Sequence, residues 1–194
     1  MAEESNEVRD TALNEGALPP ETCKLFATDV EEILLRNGWL APAGEGGADA
    51  ELSAWLERAA MLLGPQVKSG GELENLLRLV FEYDAGRALE ARDNQDVLMR
   101  EGSREVIREL ANRVLDGGEV DSDRFKEIIE EMKRATGYRS RELFQPIRVA
   151  LAGRAGGGEL DRVILLLDAA AKLRFAAPVK SARQRMIEFC AAVE

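Results

Sequence analysis

Apolar residues recur at i, i+3, i+4 and i+7 along most of the chain, and no stretch keeps the strict alternation of a half-buried strand. The pattern predicts a helix over 22–37, capped by Thr22, with Val30, Ile33 and Leu34 on one face and Gly38 as its stop. Residues 41–48 (APAGEGGA) read as loop. A second helix is predicted at about 49–63, where Leu52, Trp55, Leu56, Ala59 and Leu63 share a face before Gly64-Pro65. A third spans 72–82, with Leu73, Leu76, Leu77 and Val80 inward, and a short one follows at 84–91. A long helix from Gln95 to Leu115 carries Val106, Ile107, Leu110 and Val114 and stops at Gly117-Gly118. Asp121 or Ser122 caps the next, in which Phe125, Ile128, Ile129 and Met132 repeat at helical spacing until Gly137.

Pro146 interrupts the following apolar run. Deep inside a helix a proline costs about 3 kcal/mol, whereas at the first position its missing N–H is harmless. A short turn at 140–144 and a restart at Pro146 are therefore predicted. Helices at 159–173 and 179–192 complete an all-α chain. Residues 1–21, polar and closing on Pro19-Pro20, read as a flexible tail.

Composition narrows the chemistry. Histidine is absent, which removes the usual neutral-pH general base and the commonest metal ligand. No phosphate-binding glycine loop or nucleophile–base pair is present, and the carboxylates lie at helix-surface spacing, so no enzyme, cofactor or metal is expected. Cys23 and Cys190 sit at opposite ends and read as reduced thiols. No apolar run reaches membrane length and the first residues are acidic, so a cytoplasmic location without a membrane partner is expected.

The net charge of −10 is unevenly spread. Residues 1–123 hold 12 Lys and Arg against 27 Asp and Glu, whereas residues 124–194 hold 14 against 9. A local polyanion-binding surface and ordinary surface variation both fit this asymmetry.

The run FKEIIEEMKRATGYRSRELFQPIRVALAGRAGGGELDRVILLL carries a sharper signal. It resembles the end of bacterial glutamyl-tRNA synthetases, where a helix and a short basic loop lead to a segment reading roughly QPLRxALTG. Gln145, Pro146, Ile147, Arg148, Ala150, Leu151 and Gly153 carry the match. WLERAAMLLGPQVKSGGELENLLRLVFEYD, from Trp55, resembles the preceding helical segment of the same family. The likeness covers 22–175 and implies two small helical domains, set here at 22–93 and 94–194, resembling the anticodon-binding helical cage. The catalytic half, with its HIGH-like and KMSKS-like motifs, has no counterpart in this sequence.

The resemblance also implies site residues. Arg148 matches an arginine of the anticodon contact, and Gln145 and Pro146 mark a helix start whose amides would face RNA. Gly157 and Gly158 would let backbone approach a nucleotide, and Leu160 matches an apolar residue that packs on a base. Gln66 stands where some members carry an arginine, and Arg154 adds charge beside the loop. Lys133, Arg134, Arg139 and Arg141 read either as a phosphate track or as a solvated helix end. Lys180, Arg183 and Arg185 lie beyond the match, as phosphate contacts or as the polar side of a packed helix. The expectation is a non-catalytic module that binds a tRNA anticodon loop, not DNA. The alternative is a protein-interaction scaffold, or an accessory subunit beside a catalytic synthetase, that has lost RNA recognition.

Overall fold

The structure, a computed structural model, describes residues 25–42 and 49–193. Within them every regular element is helical and none is a strand. In order they are α1 (Ala27–Arg36), α2 (Ala50–Leu63), a 3-10 turn (Gly64–Gln66), α3 (Gly70–Phe81), α4 (Ala85–Glu90) and α5 (Arg92–Leu98). Then come α6 (Ser103–Asp116), α7 (Ser122–Thr136), α8 (Ser140–Ala152), α9 (Glu159–Ile164), α10 (Leu167–Lys172) and α11 (Ala182–Val193). Asp49, Ser69, Asp84 and Asp121 cap α2, α3, α4 and α7 by accepting first-turn amides. The tail at 1–21, the cap at Thr22 and most of the loop at 41–48 lie outside the described residues.

Three sequence expectations change. The helix expected over 95–115 is two helices, α5 and α6, separated at Met99–Gly102. Gly102 has φ +83, and a Cβ there would stand 2.3 Å from Cζ of Tyr138. The break therefore makes room for a ring 36 residues away, which no local pattern records. The helix expected over 159–173 likewise divides into α9 and α10 around Leu165 and Leu166. Their carbonyls accept Arg58 Nη2 at 3.4 Å and Trp55 Nε1 at 3.2 Å.

Pro146 does not restart a helix. It lies inside a continuous α8 that begins at Ser140. The carbonyl it leaves without an intrahelical partner belongs to Glu142, an exposed position where water can satisfy it. Pro146, Ile147 and Val149 to Ala152 are all buried, so packing of this half of α8 offsets the lost hydrogen bond.

One apolar core runs from Val30 to Phe189 and draws on helices from α1 to α11. The boundary expected at 93–94 falls inside α5, and bonds cross it repeatedly. Tyr83 donates its hydroxyl to the Ala150 carbonyl at 2.6 Å, and Ala176 N–H reaches the Trp39 carbonyl at 2.8 Å. Phe175 sits edge-on to Trp55 and Phe81, at 5.1 and 5.0 Å between ring centroids, and Phe81 stacks on Trp39 at 4.9 Å. The segment after residue 174 is thus part of the core.

Arg185, on α11, is fully buried. Its guanidinium donates to the carbonyls of Leu79, Val80, Leu151 and Lys180 at 2.6–3.1 Å, and it lies 4.6 Å over the Tyr83 ring. Leu79 and Val80 lie in the last turn of α3 and Leu151 in the last turn of α8, so two helix C-termini face one cation. Burial pulls this guanidinium down to about 9, which still leaves it charged at neutral pH. Its place is structural. Lys180 pairs with Glu188 at 2.5 Å, and Arg183 donates to the Leu115 carbonyl.

Candidate nucleic-acid interface

The corner between α8 and α9 is built by two polar clamps. On one side Arg148 grips Asp161 bidentately, Nε to Oδ1 at 2.7 Å and Nη2 to Oδ2 at 2.8 Å, and its Nη1 donates to the Gly156 carbonyl at 2.9 Å. The guanidinium also lies 5.2 Å over the Phe144 ring, and only 12% of the side chain is exposed. Nε, Nη1 and Nη2 each have a protein acceptor, so Arg148 shapes the loop.

The opposite clamp is Asn94, which sequence reading missed. Its amide donates to the carbonyls of Ala88 and Gly153, at 2.8 and 2.9 Å, and its oxygen accepts Ala155 N–H at 2.6 Å. Asn94 is 1% exposed. Gly153 ends α8 at φ +76, with the Tyr83 ring 3.4 Å from where a Cβ would project. A turn with buried carbonyls needs donors, and here side chains supply them. The only hint in the sequence is a polar residue on the apolar face of a short helix.

Other expected site residues fall in distinct places. Pro146 is buried, so no helix-start amides face solvent there. Gln145 is half-buried and accepts from Arg100 Nη1. Leu160 is fully buried in the core and, as folded, offers a base no surface. Gly157 N–H donates to Glu159 Oε1 at 2.9 Å, while Gly158 is exposed, with nothing within 4 Å of a Cβ position. Arg154 is exposed just past α8.

The cations expected to flank this corner do not. Arg139 and Arg141 are exposed at the start of α8, and Lys133, paired to Glu130 at 2.7 Å, lies near the end of α7. The Lys133 ammonium holds the Glu130 carboxyl below its usual range. At 1.5 Å per residue, α8 separates this basic end from Arg154 by about 20 Å.

A different set converges on the corner. Gln66 and Gly158 line one groove of about 430 Å³, together with Ser122, Phe125, Lys126, Asp161, Arg162 and Leu165. Arg58 borders it, donating from Nη2 to Ser122 Oγ at 3.5 Å and to the Leu165 carbonyl. Asp161 is neutralised by Arg148, and Asp123 pairs with Lys126 at 3.1 Å with both side chains mostly in water. Such a pair is weak and readily exchanged. Arg162 is exposed and makes no ion pair with a described residue. Arg58, Lys126 and Arg162 therefore give the groove a positive rim. A larger groove of about 670 Å³ lies elsewhere, between the α5–α6 break and the end of α11, and contains none of the expected site residues.

Residues 26–174 match the family described as the anticodon binding domain, and the chain belongs to that family. It is similar to the glutamate–tRNA ligase of Bacillus subtilis, 32% identical over 146 residues, and to that of Oceanobacillus iheyensis, 32% identical over 144. These alignments cover 74% and 73% of this chain. The chain spans 29% of the length of either relative. No solved structure matches it. No helix among the described residues is long and apolar enough to cross a membrane.

Proposed function

We propose that this member of the anticodon-binding family binds the anticodon arm of a tRNA at the groove between the Gly64–Gln66 turn, the start of α7 and the α8–α9 corner, and does not itself activate an amino acid. One observation carries the reading: Gln66 and Gly158, distant in sequence, meet in one groove rimmed by Arg58, Lys126 and Arg162. Phosphate neutralisation by these three supplies affinity, and the corner clamped by Arg148 and Asn94 supplies a fixed backbone.

A filter-binding titration of total tRNA against salt tests it. Three phosphate contacts on a single-stranded loop give a log–log slope of about −2. Binding that is absent near physiological salt would end the reading. The second half of the proposal predicts no pyrophosphate exchange into ATP by the purified chain with glutamate. A protein-interaction scaffold, or an accessory subunit of a catalytic synthetase, is the rival reading. It draws support from the groove where Met99, 77% exposed, and Val193, 55% exposed, stand together.

A further inference from the structure

The outer face of α2 carries Ala54, Glu57, Arg58, Met61 and Leu62 at i, i+3, i+4, i+7 and i+8, opposite the buried face of Trp55, Leu56, Ala59 and Leu63. With Ser122, the first residue of α7, these five line a groove of about 470 Å³. It is not a separate hollow. Ser122 also lines the groove that holds Gln66 and Gly158. Arg58 Nη2 reaches across to Ser122 Oγ at 3.5 Å and to the carbonyl of Leu165, a residue of that first groove, at 3.4 Å. The two grooves therefore meet at Arg58. Both of its contacts are longer than the usual range of about 2.7–3.2 Å, and its Nε and Nη1 have no partner among the described residues. The fork can turn toward a phosphate without giving up a strong hydrogen bond.

We propose that this second groove is a nucleotide subsite, taking one unstacked base of the RNA strand, with the phosphate that joins it to the next nucleotide held on Arg58. The subsite rests on the functional reading above for the strand, and adds to it a further nucleotide position and the class of base that fits there. The chemistry of the lining selects a base over a second phosphate. Apart from Arg58, the only charged residue lining this groove is Glu57, which is exposed and makes no ion pair with a described residue. A carboxylate repels a phosphate, yet it accepts an N–H from the exocyclic amine of a base. Adenine, cytosine and guanine carry such an amine and uracil does not. Met61, 68% exposed, and half-buried Leu62 supply the apolar surface on which a ring face can lie. A thioether is polarisable and unbranched, so it adapts to rings of different size. Cations that follow the backbone beside apolar platforms that take the bases are how single strands are held.

The experiment follows methionine methyl NMR signals of the full chain as total tRNA is added. Among the described methionines, Met61 and Met99 are exposed and Met132 and Met186 are fully buried. Met99 stands in the separate groove beside α11 and serves as the control. The Met61 signal should move on binding and the Met99 signal should stay. Oligocytidylate should move the Met61 signal, oligouridylate should move it less, and inorganic polyphosphate, which carries charge but no base, should leave it in place. Glu57→Ala should remove the difference between the two oligonucleotides. In filter binding, Met61→Ala should lower tRNA affinity about three- to ten-fold with the salt slope and the urea midpoint unchanged, because it removes exposed apolar surface and no charge. Arg58→Ala, by contrast, should flatten the slope by about 0.7. If tRNA binds and the Met61 signal stays, the subsite is overturned and the functional reading stands. If polyphosphate moves the signal as oligocytidylate does, the groove holds phosphate and the assignment to a base fails. Equal shifts with the two oligonucleotides would overturn selection by Glu57. Absence of binding by any RNA would end both readings.

Discussion

The two ends of α8 carry similar residues and do opposite things. At its start, Arg139 and Arg141 are exposed and make no ion pair with a described residue. At its far end, Arg148 is bidentate to Asp161, Asn94 holds the Gly153 turn, and Arg185 collects the carbonyls of Leu79, Val80 and Leu151. A guanidinium in water is a mobile charge, whereas one surrounded by fixed acceptors is a geometric brace. The arginine easiest to single out from sequence, Arg148, belongs to the second kind.

The largest test of this contrast is Arg185. Arg185→Ala leaves four buried or half-buried carbonyls without their donor and empties a large core volume. A loss of about 4 kcal/mol in urea unfolding, or failure to fold, is expected. A midpoint within error of the parent would break the idea that α11 braces α3 and α8. Next comes Arg148→Ala, expected to lose about 2–3 kcal/mol, because Asp161 and the Gly156 carbonyl are stranded in a half-buried site. A double-mutant cycle with Asp161→Asn should then return a coupling of about 1–3 kcal/mol. Additive effects would mean that the pair does not hold the corner.

Asn94→Ala should follow at about 2 kcal/mol, with faster amide exchange confined to residues 153–156. Uniform protection across that turn would count against the second clamp. The smallest effects belong to the exposed set. Arg162→Ala should leave stability within about 0.5 kcal/mol and flatten the tRNA salt slope by about 0.7. Arg139→Ala and Arg141→Ala should do less, since α8 holds them about 20 Å from the corner. If they flatten the slope more than Arg162→Ala does, the RNA path runs along the basic end instead.

Helix existence was legible because amphipathic spacing is a local property. Val30, Ile33 and Leu34, Leu73, Leu76, Leu77 and Val80, and Phe125, Ile128, Ile129 and Met132 are buried as their spacing required. The all-α class followed for the same reason, and of the two caps the sequence offered, Asp121 and Ser122, Asp121 is the one that caps α7. The family likeness, too, could be read from QPIRVALAG, where short-range order is preserved.

What the pattern could not decide was everything set by a partner distant in the chain. Gly102 breaks a helix because Tyr138 needs its space, and Pro146 is tolerated because the residues after it are buried. Leu160 and Arg185 carry side chains that sequence alone allows at a surface, yet the fold encloses both. Arg148 had two open roles until Asp161 and Gly156 came within hydrogen-bonding distance. Lys126 and Arg162 came to line one groove only when the Gly64–Gln66 turn was carried against α7 and α9. The sequence by itself determined which residues are helical and apolar, because those depend on neighbours three and four positions away. The tertiary structure decided which charges stay exposed and which brace, because that depends on acceptors brought together from across the chain.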